Sequence, residues 1–454
     1  MNSTMRAALG PVPFAVVFLV GSTAQVAAQD EGGLNAQFDI TQSIESIEER
    51  GFTGIDSSGA RALTALDFGL RSVTRSQRLD FGFSSGIAVP FEGDRDVTAD
   101  SIRSTLGYSR NSRNAELSFG ALFRRDDVDD LVFDDTFEDD DVITGVGQRE
   151  VLTVNSGLVV GREARITGTF NHTYETSDFF DTLDPELNDT ETQAADGRLS
   201  FQLTRTLTLD VFGVWSDVDE SGFGATDRIT TEIGTGVSYR IDPITILAGE
   251  VSFRTEESSG ATILDTEGWN YALSATRERP NGEVFATYTQ EDALTGTRRQ
   301  FIAGQDMDLQ RGSLGYSLGV SETDGFDPQL LASLTLDYDM DRNGTARITL
   351  SQEGTINGDD EEVVNSRLGM SYLRALSPIS GISASFDLVD ENVLATGAAD
   401  QRTYRFDVSY EYELTRDWGL TSGYAYSVVQ LDGTDDRSRS TVFVGLQRSF
   451  NYRP

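Results

Sequence analysis

The stretch from Leu79 to Val89, LDFGFSSGIAV, sets Leu79, Phe81, Phe83, Ile87 and Val89 at every second position, with Asp80, Gly82, Ser84, Gly86 and Ala88 in the gaps. Successive side chains of a strand point to opposite faces, so one face here is apolar and the other small and polar. The pattern recurs along the chain. Leu66, Phe68 and Leu70 alternate with Asp67, Gly69 and Arg71, and Leu117, Phe119 and Phe123 with Glu116, Ser118 and Arg124. Tyr404, Phe406, Val408, Tyr410 and Tyr412 alternate with Arg405, Asp407, Ser409 and Glu411. No amphipathic helical spacing follows residue 50. Counted from a weak first strand at residues 34–45 to a last one at 439–450, the pattern predicts about 22 strands, within a range of 20–24. The fold class is all-β.

The connections alternate in kind. Short ones carry turn chemistry, as in DPIT at 242–245, RPNG at 279–282 and DRNG at 341–344, where Asn281-Gly282 and Asn343-Gly344 are hairpin signals that call for positive φ. Between them lie longer polar segments, among them 90–100, 126–148, 176–192, 217–228, 256–265, 292–298 and 354–361, several of them acidic. Short-long alternation is the rhythm of an up-and-down antiparallel barrel with trimmed periplasmic turns and free external loops. Greek-key crossovers in a soluble sandwich have no reason to keep it.

Alternation alone does not say which face is inside. The polar row decides it, because it carries ionised groups of both signs. Asp67, Arg71, Asp80, Glu116, Arg124, Glu232, Arg240, Glu250, Arg254, Arg347, Arg367, Arg405, Asp407 and Glu411 fall on it. A dry core would lose several kcal/mol for each buried ion. A water-filled lumen would not, so these residues are expected to line a lumen while the apolar row meets lipid. Trp215, Tyr239, Trp269, Tyr372, Trp418 and Tyr452, near strand ends, are candidates for interfacial girdles.

Composition supports export. Arg6, the apolar run 12–20 and the small residues Val26-Ala27-Ala28 predict a signal peptide over 1–28, leaving residues 29–454 as one barrel domain. The apolar run is too short to span a bilayer as a helix, which takes ~20 residues. The remaining 426 residues give about 19 per strand with its connection, hence ~10 per strand, the length a tilted transmembrane strand needs. The chain has no Cys and no Lys, so all 36 basic residues are Arg, and thiol and Ser–Lys mechanisms are excluded. A formal charge of −38 argues against a nucleic-acid partner.

The chain ends TVFVGLQRSFNYRP, with Phe450 and Tyr452 placed as an aromatic C-terminal insertion signal, although Arg453-Pro454 follow. With the opening LNAQFDITQSIE and the Arg-bearing hairpins LTRTLTL, ERPNGEVFA and LTRDWGLTSGYAYS, this ending makes residues 34–454 resemble the porin-2 type of β-barrel outer-membrane protein of Gram-negative bacteria. The resemblance implies a barrel with a porin-like role and supplies no catalytic or ligand residue.

Two local features invite chemistry. His172, the sole histidine, stands in FNHTYETSDFFD close to Glu175 and Asp178 and near the expected external strand end, where a His–Asp pair could act as a base. One histidine in so acidic a chain meets carboxylates by chance, and no enzyme activity is expected. The run 126–141 has ten acidic residues in sixteen. Asp126, Asp127, Asp129, Asp130, Asp139, Asp140 and Asp141 are weak metal candidates that could bridge to lipopolysaccharide, but they lack calcium-loop spacing, and a solvated external loop is the plainer reading. GVGQRE at 145–150 is not followed by a helix and is no phosphate loop. No cofactor is expected.

Only residues 29–33 precede the first strand, which leaves no room for a plug, so the 126–148 loop is the best candidate to narrow the lumen. These features lead to a passive channel for small hydrophilic solutes, leaning to cations because acids outnumber Arg. The expected partners are outer-membrane lipid, lipopolysaccharide, the insertion machinery and further copies of the chain in a homo-oligomer. An outlet for a secreted polymer with periplasmic partners is the alternative, and a soluble glycan-binding β protein a third.

Overall fold

The computed structural model describes residues 33–453 except 52–56, 92–96, 128–146, 183–186, 223–224, 261–264, 294–295, 357–361, 395–399 and 432–435. The expected signal peptide, 1–28, lies outside the described residues. The chain forms β1 (Gly33–Arg50), β2 (Ser57–Val73), β3 (Gln77–Pro90), β4 (Thr98–Asn111), β5 (Ala115–Asp127), β6 (Gln148–Val160), β7 (Ile166–Phe180), β8 (Asp189–Gln202), β9 (Leu207–Ser221), β10 (Thr226–Asp242) and β11 (Thr245–Gly260). It continues with β12 (Thr266–Arg279), β13 (Gly282–Ala293), β14 (Gly296–Leu309), β15 (Gly312–Thr323), β16 (Gln329–Asp341), β17 (Gly344–Ile356), β18 (Glu362–Ser377), β19 (Ser380–Val393), β20 (Gln401–Glu413), β21 (Trp418–Leu431) and β22 (Arg437–Tyr452).

Each strand pairs antiparallel with its sequence neighbours, and β1 pairs with β22 from Ala36↔Tyr452 to Arg50↔Ser438, so the sheet closes. Closure removes the two edges, leaving no row of unpaired amides for lipid to meet. Twenty-two strands about 4.8 Å apart and tilted by about 40° give a perimeter of about 140 Å and a diameter of about 44 Å if the section is circular. The first strand, weak in sequence, runs 18 residues and is paired from Gly33 to Glu49 with β2 and from Ala36 to Arg50 with β22.

The strands span 12–18 residues, longer than the ~10 expected of a membrane crossing. The apolar outer row explains the difference. It starts at the short turns and covers about ten residues of each strand, then yields to Glu150, Glu191, Asp217, Asp227 and Glu322 while hydrogen bonding continues. Segments 176–192, 217–228 and 256–265, expected to be connections, are in part this projecting wall.

The five two-residue turns close in two ways. After Pro280-Asn281 and Gln310-Arg311, Gly282 and Gly312 take φ of +133° and +141°, and a Cβ there would stand 1.9 Å from a neighbouring carbonyl oxygen. The turns at 243–244, 342–343 and 378–379 instead follow a register shift, and the side chains of Asp242, Asp341 and Ser377 accept the amide two residues on. Gly344 is therefore not in the left-handed region, contrary to the expectation from Asn343-Gly344.

Leu318, at the middle of the outer row, is 61% exposed, and its neighbour Ser317 points to the other face, bonded to Ser333 at 2.7 Å. Leu318→Arg is expected to destabilise the folded barrel in vesicles by about 2–4 kcal/mol, whereas Ser317→Arg should change it by about 1 kcal/mol or less, as read from denaturant midpoints. At the β10–β11 turn, the Ile244 amide donates to Asp242 at 2.9 Å. Asp242→Ala removes that acceptor and should speed hydrogen exchange at the Ile244 amide by about fivefold, as a side-chain hydrogen bond of about 1 kcal/mol implies.

Candidate functional site

The inner wall of the barrel is the candidate site. The register places Asp67, Arg71 and Asp80, Glu116 and Arg124, Glu232, Arg240, Glu250 and Arg254, Arg347 and Arg367, and Arg405, Asp407 and Glu411 on the face opposite the apolar row. That face is concave. Arg198 on β8 reaches Glu250 on β11 at 2.6 Å, three strands away, which only converging side chains permit. The opposite face exposes its large apolar groups, with Ile233 66% and Val444 52% accessible.

Charges on this wall lie along it and neutralise one another. Arg198 rests over the Phe212 ring, 4.7 Å from its centroid, and Phe212 in turn lies on Gly234, where a Cβ would come 2.3 Å from the ring. The missing Cβ lets the ring lie flat instead of projecting inward. Beside it, Ser252 donates to Glu232, while Arg254 and Arg228 converge on Glu256 at 2.5 and 3.4 Å. Arg71 with Asp80, Arg347 with Asp337, Arg405 with Asp407 and Glu116 with Arg162 form further pairs, at 3.7, 3.5, 2.9 and 2.8 Å. Arg240 and Arg367 make no ion pair among the described residues.

Like charges also adjoin. Asp39 stands opposite Asp67 across β1 and β2, and Arg103 opposite Arg124 across β4 and β5, with Ser84 between the two sets. Asp39 is 8% exposed and one of its oxygens has no partner.

Near the long-connection end the wall doubles. Pairing of β16 with β17 ends at Ala332↔Gln352, which frees the β17–β18 tip. Below this point Leu350, Leu368 and Met370 face outward, but Glu362, two further along the same row from Val364, meets inner-face groups of β14 and β15. Its carboxylate takes Arg298 at 2.6 and 3.2 Å and Thr323 at 2.9 Å, while Glu291 adds a contact to Arg298 at 3.3 Å. Glu362, Val363, Val364 and Asn365 are all buried, and Leu331 of β16 is buried on the inner face nearby. The start of β18 has folded inward onto the wall. Sequence reading missed this pair because Arg298 fell in an expected connection and Glu362 beside another.

The other sequence candidates resolve as follows. Asp126 pairs with Arg124 at 3.0 Å on the inner face, and Asp127 ends β5. Asp129, Asp130, Asp139, Asp140 and Asp141 lie outside the described residues, as does most of the loop expected to narrow the lumen. His172 is not at a strand end. It sits in mid-β7 on the outer face between Phe170 and Tyr174, opposite Ser156 and Ala195, while Glu175 points inward to Thr153. The pairing that a base would need does not form. Phe450 and Tyr452 face outward, and Phe450 stacks on Phe38 at 6.1 Å. The girdle candidates all lie on the outer face, with Tyr239, Tyr372, Trp418 and Tyr452 at the short-turn end and Trp215 and Trp269 at the other.

No protein-family model matches the chain. No curated protein matches it either. Solved structures do. The FrpB iron transporter of Neisseria meningitidis is similar with a TM-score of 0.60 at 8% identity, over 92% of this chain and 83% of that one. A ferric enterobactin receptor (PfeA) mutant from Pseudomonas aeruginosa, in complex with enterobactin, has a TM-score of 0.56 at 9% identity, over 93% of this chain and 82% of that one. The siderophore receptor PirA of the same organism has a TM-score of 0.51 at 12% identity, over 92% and 80%. At such identities the likeness establishes the fold, that of a 22-stranded outer-membrane β-barrel.

Removing one member of a buried ion pair costs about 3–5 kcal/mol. Glu362→Ala should therefore speed amide exchange at Val363–Asn365 by about a hundredfold or more while leaving β8–β11 unchanged. Unaltered exchange would show that the pair does not hold the tip.

Proposed function

We propose that the protein is an outer-membrane channel for passive diffusion of small hydrophilic solutes, exported by a cleaved signal peptide and devoid of enzymatic activity. The observation that carries this reading is the two-faced wall: large aliphatic and aromatic side chains exposed outside, ionised groups of both signs inside. Apolar-out and polar-in is what a lipid exterior and a wet interior require. Its partners are membrane lipid and lipopolysaccharide, the insertion machinery acting on the Phe450–Tyr452 strand, and in a homo-oligomer further copies of itself. No nucleic acid or cofactor enters the reading. The Arg298–Glu362 tip narrows one sector of the lumen. Carboxylates outnumber Arg by 74 to 36, which favours cations.

The solved structures support a second reading, uptake of a bulky ligand, because the similar proteins include an iron transporter and a siderophore receptor. A diffusion channel gives discrete, voltage-ohmic conductance steps when the purified protein is added to planar bilayers, with cation permeability above anion permeability. A permeability ratio near one removes the cation preference. Absence of steps together with saturable binding of a ferric siderophore would favour the second reading.

A further inference from the structure

The two ends of the barrel carry opposite charge. The ten connections at the end where β1 begins and β22 finishes contain eight arginines against two carboxylates, Glu163 and Asp417, and the adjoining strand-end residues add Arg279 against Asp242, Asp341 and Glu413, so the rim stays net positive. The eleven connections at the other end contain one arginine, Arg95, against twenty-five carboxylates. In a chain of net charge −38, a cationic rim is against the grain of the composition.

We propose that this short-turn rim is a docking surface for the phosphate-bearing headgroups of anionic phospholipid in the surrounding leaflet. The proposal rests on the membrane-spanning reading above. The guanidinium groups are available: Arg75, Arg205, Arg342 and Arg416 are exposed and make no ion pair among the described residues. One of the rim's carboxylates is already taken, since Glu163 binds Arg113 at 2.7 Å.

Depth selects lipid as the occupant. Leu203 and Leu414, within the same turns as Arg205 and Arg416, are 55% and 49% exposed, and Ile244 and Ile379 are exposed in neighbouring turns. The apolar band thus runs into the turns themselves, and guanidinium groups beside it fall at headgroup level. At the other end the outer row becomes charged before the strands stop, so the strand ends there lie beyond the band. Arg448 continues the cationic rim onto the outer face, held over Trp418 and Phe450 at 5.2 and 4.7 Å from their centroids. A planar guanidinium presents paired donors that match phosphate oxygens.

The test uses the full protein in bilayers of mixed phosphatidylglycerol and phosphatidylcholine, with spin-labelled forms of each lipid reporting the immobilised first shell. The wild type should favour phosphatidylglycerol by about fivefold, as several arginines at an anionic surface would produce. The variant R75Q/R205Q/R342Q/R416Q should fall towards parity while retaining wild-type conductance steps. R205Q/R416Q, with half the change, should fall between. No preference in the wild type, or a preference that survives the fourfold change, overturns the proposal. So does binding of soluble polyglutamate by the rim without any enrichment of phosphatidylglycerol, which would assign the surface to an acidic polymer. Failure to enter bilayers or to conduct would count against the membrane reading instead, so the two failures are distinguishable.

Discussion

Every other feature of this structure depends on the demand that backbone amides find partners where no water can serve them. Fifteen residues of β1 pair with β22, and that seam turns a 22-stranded sheet with two open edges into a wall with none. Once the wall is closed, each strand has only an outside and an inside. The alternation of side chains then sorts the chain chemically, with no need for a packed core. The described residues include few fully buried apolar side chains, and Val363 and Val429 are the largest of them. Stability comes from the hydrogen-bonded ladder and from what each face meets.

The inner face shows how a wide lumen accommodates dense charge. Arg198 does not project toward the axis; it lies along the wall over Phe212 and ends on Glu250. A ring on one strand covers a glycine on the next, at Phe212 over Gly234 and again at Phe443 against Gly423, so bulky groups are held flat. The effect is a polar surface whose charges are mostly neutralised in place, interrupted by exceptions such as the adjoining Asp39 and Asp67. The β17–β18 tip departs from this economy. It adds a second layer inside the wall and ties it with a desolvated ion pair, an arrangement that favours a specific geometry over net stability.

The axial direction is as strongly patterned as the radial one. Arginines gather where strands turn tightly, and carboxylates where the wall projects past its apolar band. The short turns hold eight arginines, which outnumber the carboxylates within them, Glu163 and Asp417, together with those directly beside them, Asp242, Asp341 and Glu413, so a cationic rim persists in a chain dominated by acids.

Much of this was legible in the residues alone. Alternation in LDFGFSSGIAV and its repeats specified strands, their approximate number and which residues share a face, because side-chain period depends only on local backbone geometry. Short-long rhythm specified the meander and put both termini at one end. All fourteen inner-row candidates share a face for the same reason. What the sequence could not convey depended on neighbours distant in the chain. The strand at 34–45 looked weak, yet β1 is held by partners on both sides, one of them four hundred residues away. His172 looked like an acid-flanked base near a rim, but register put it on the lipid-facing side and turned Glu175 away. Arg298 and Glu362 became partners only because β16 stops pairing with β17 at Ala332 and frees the start of β18 to fold inward. Periodicity is written residue by residue, whereas contact across a curved wall is set by closure and register, which no single strand contains.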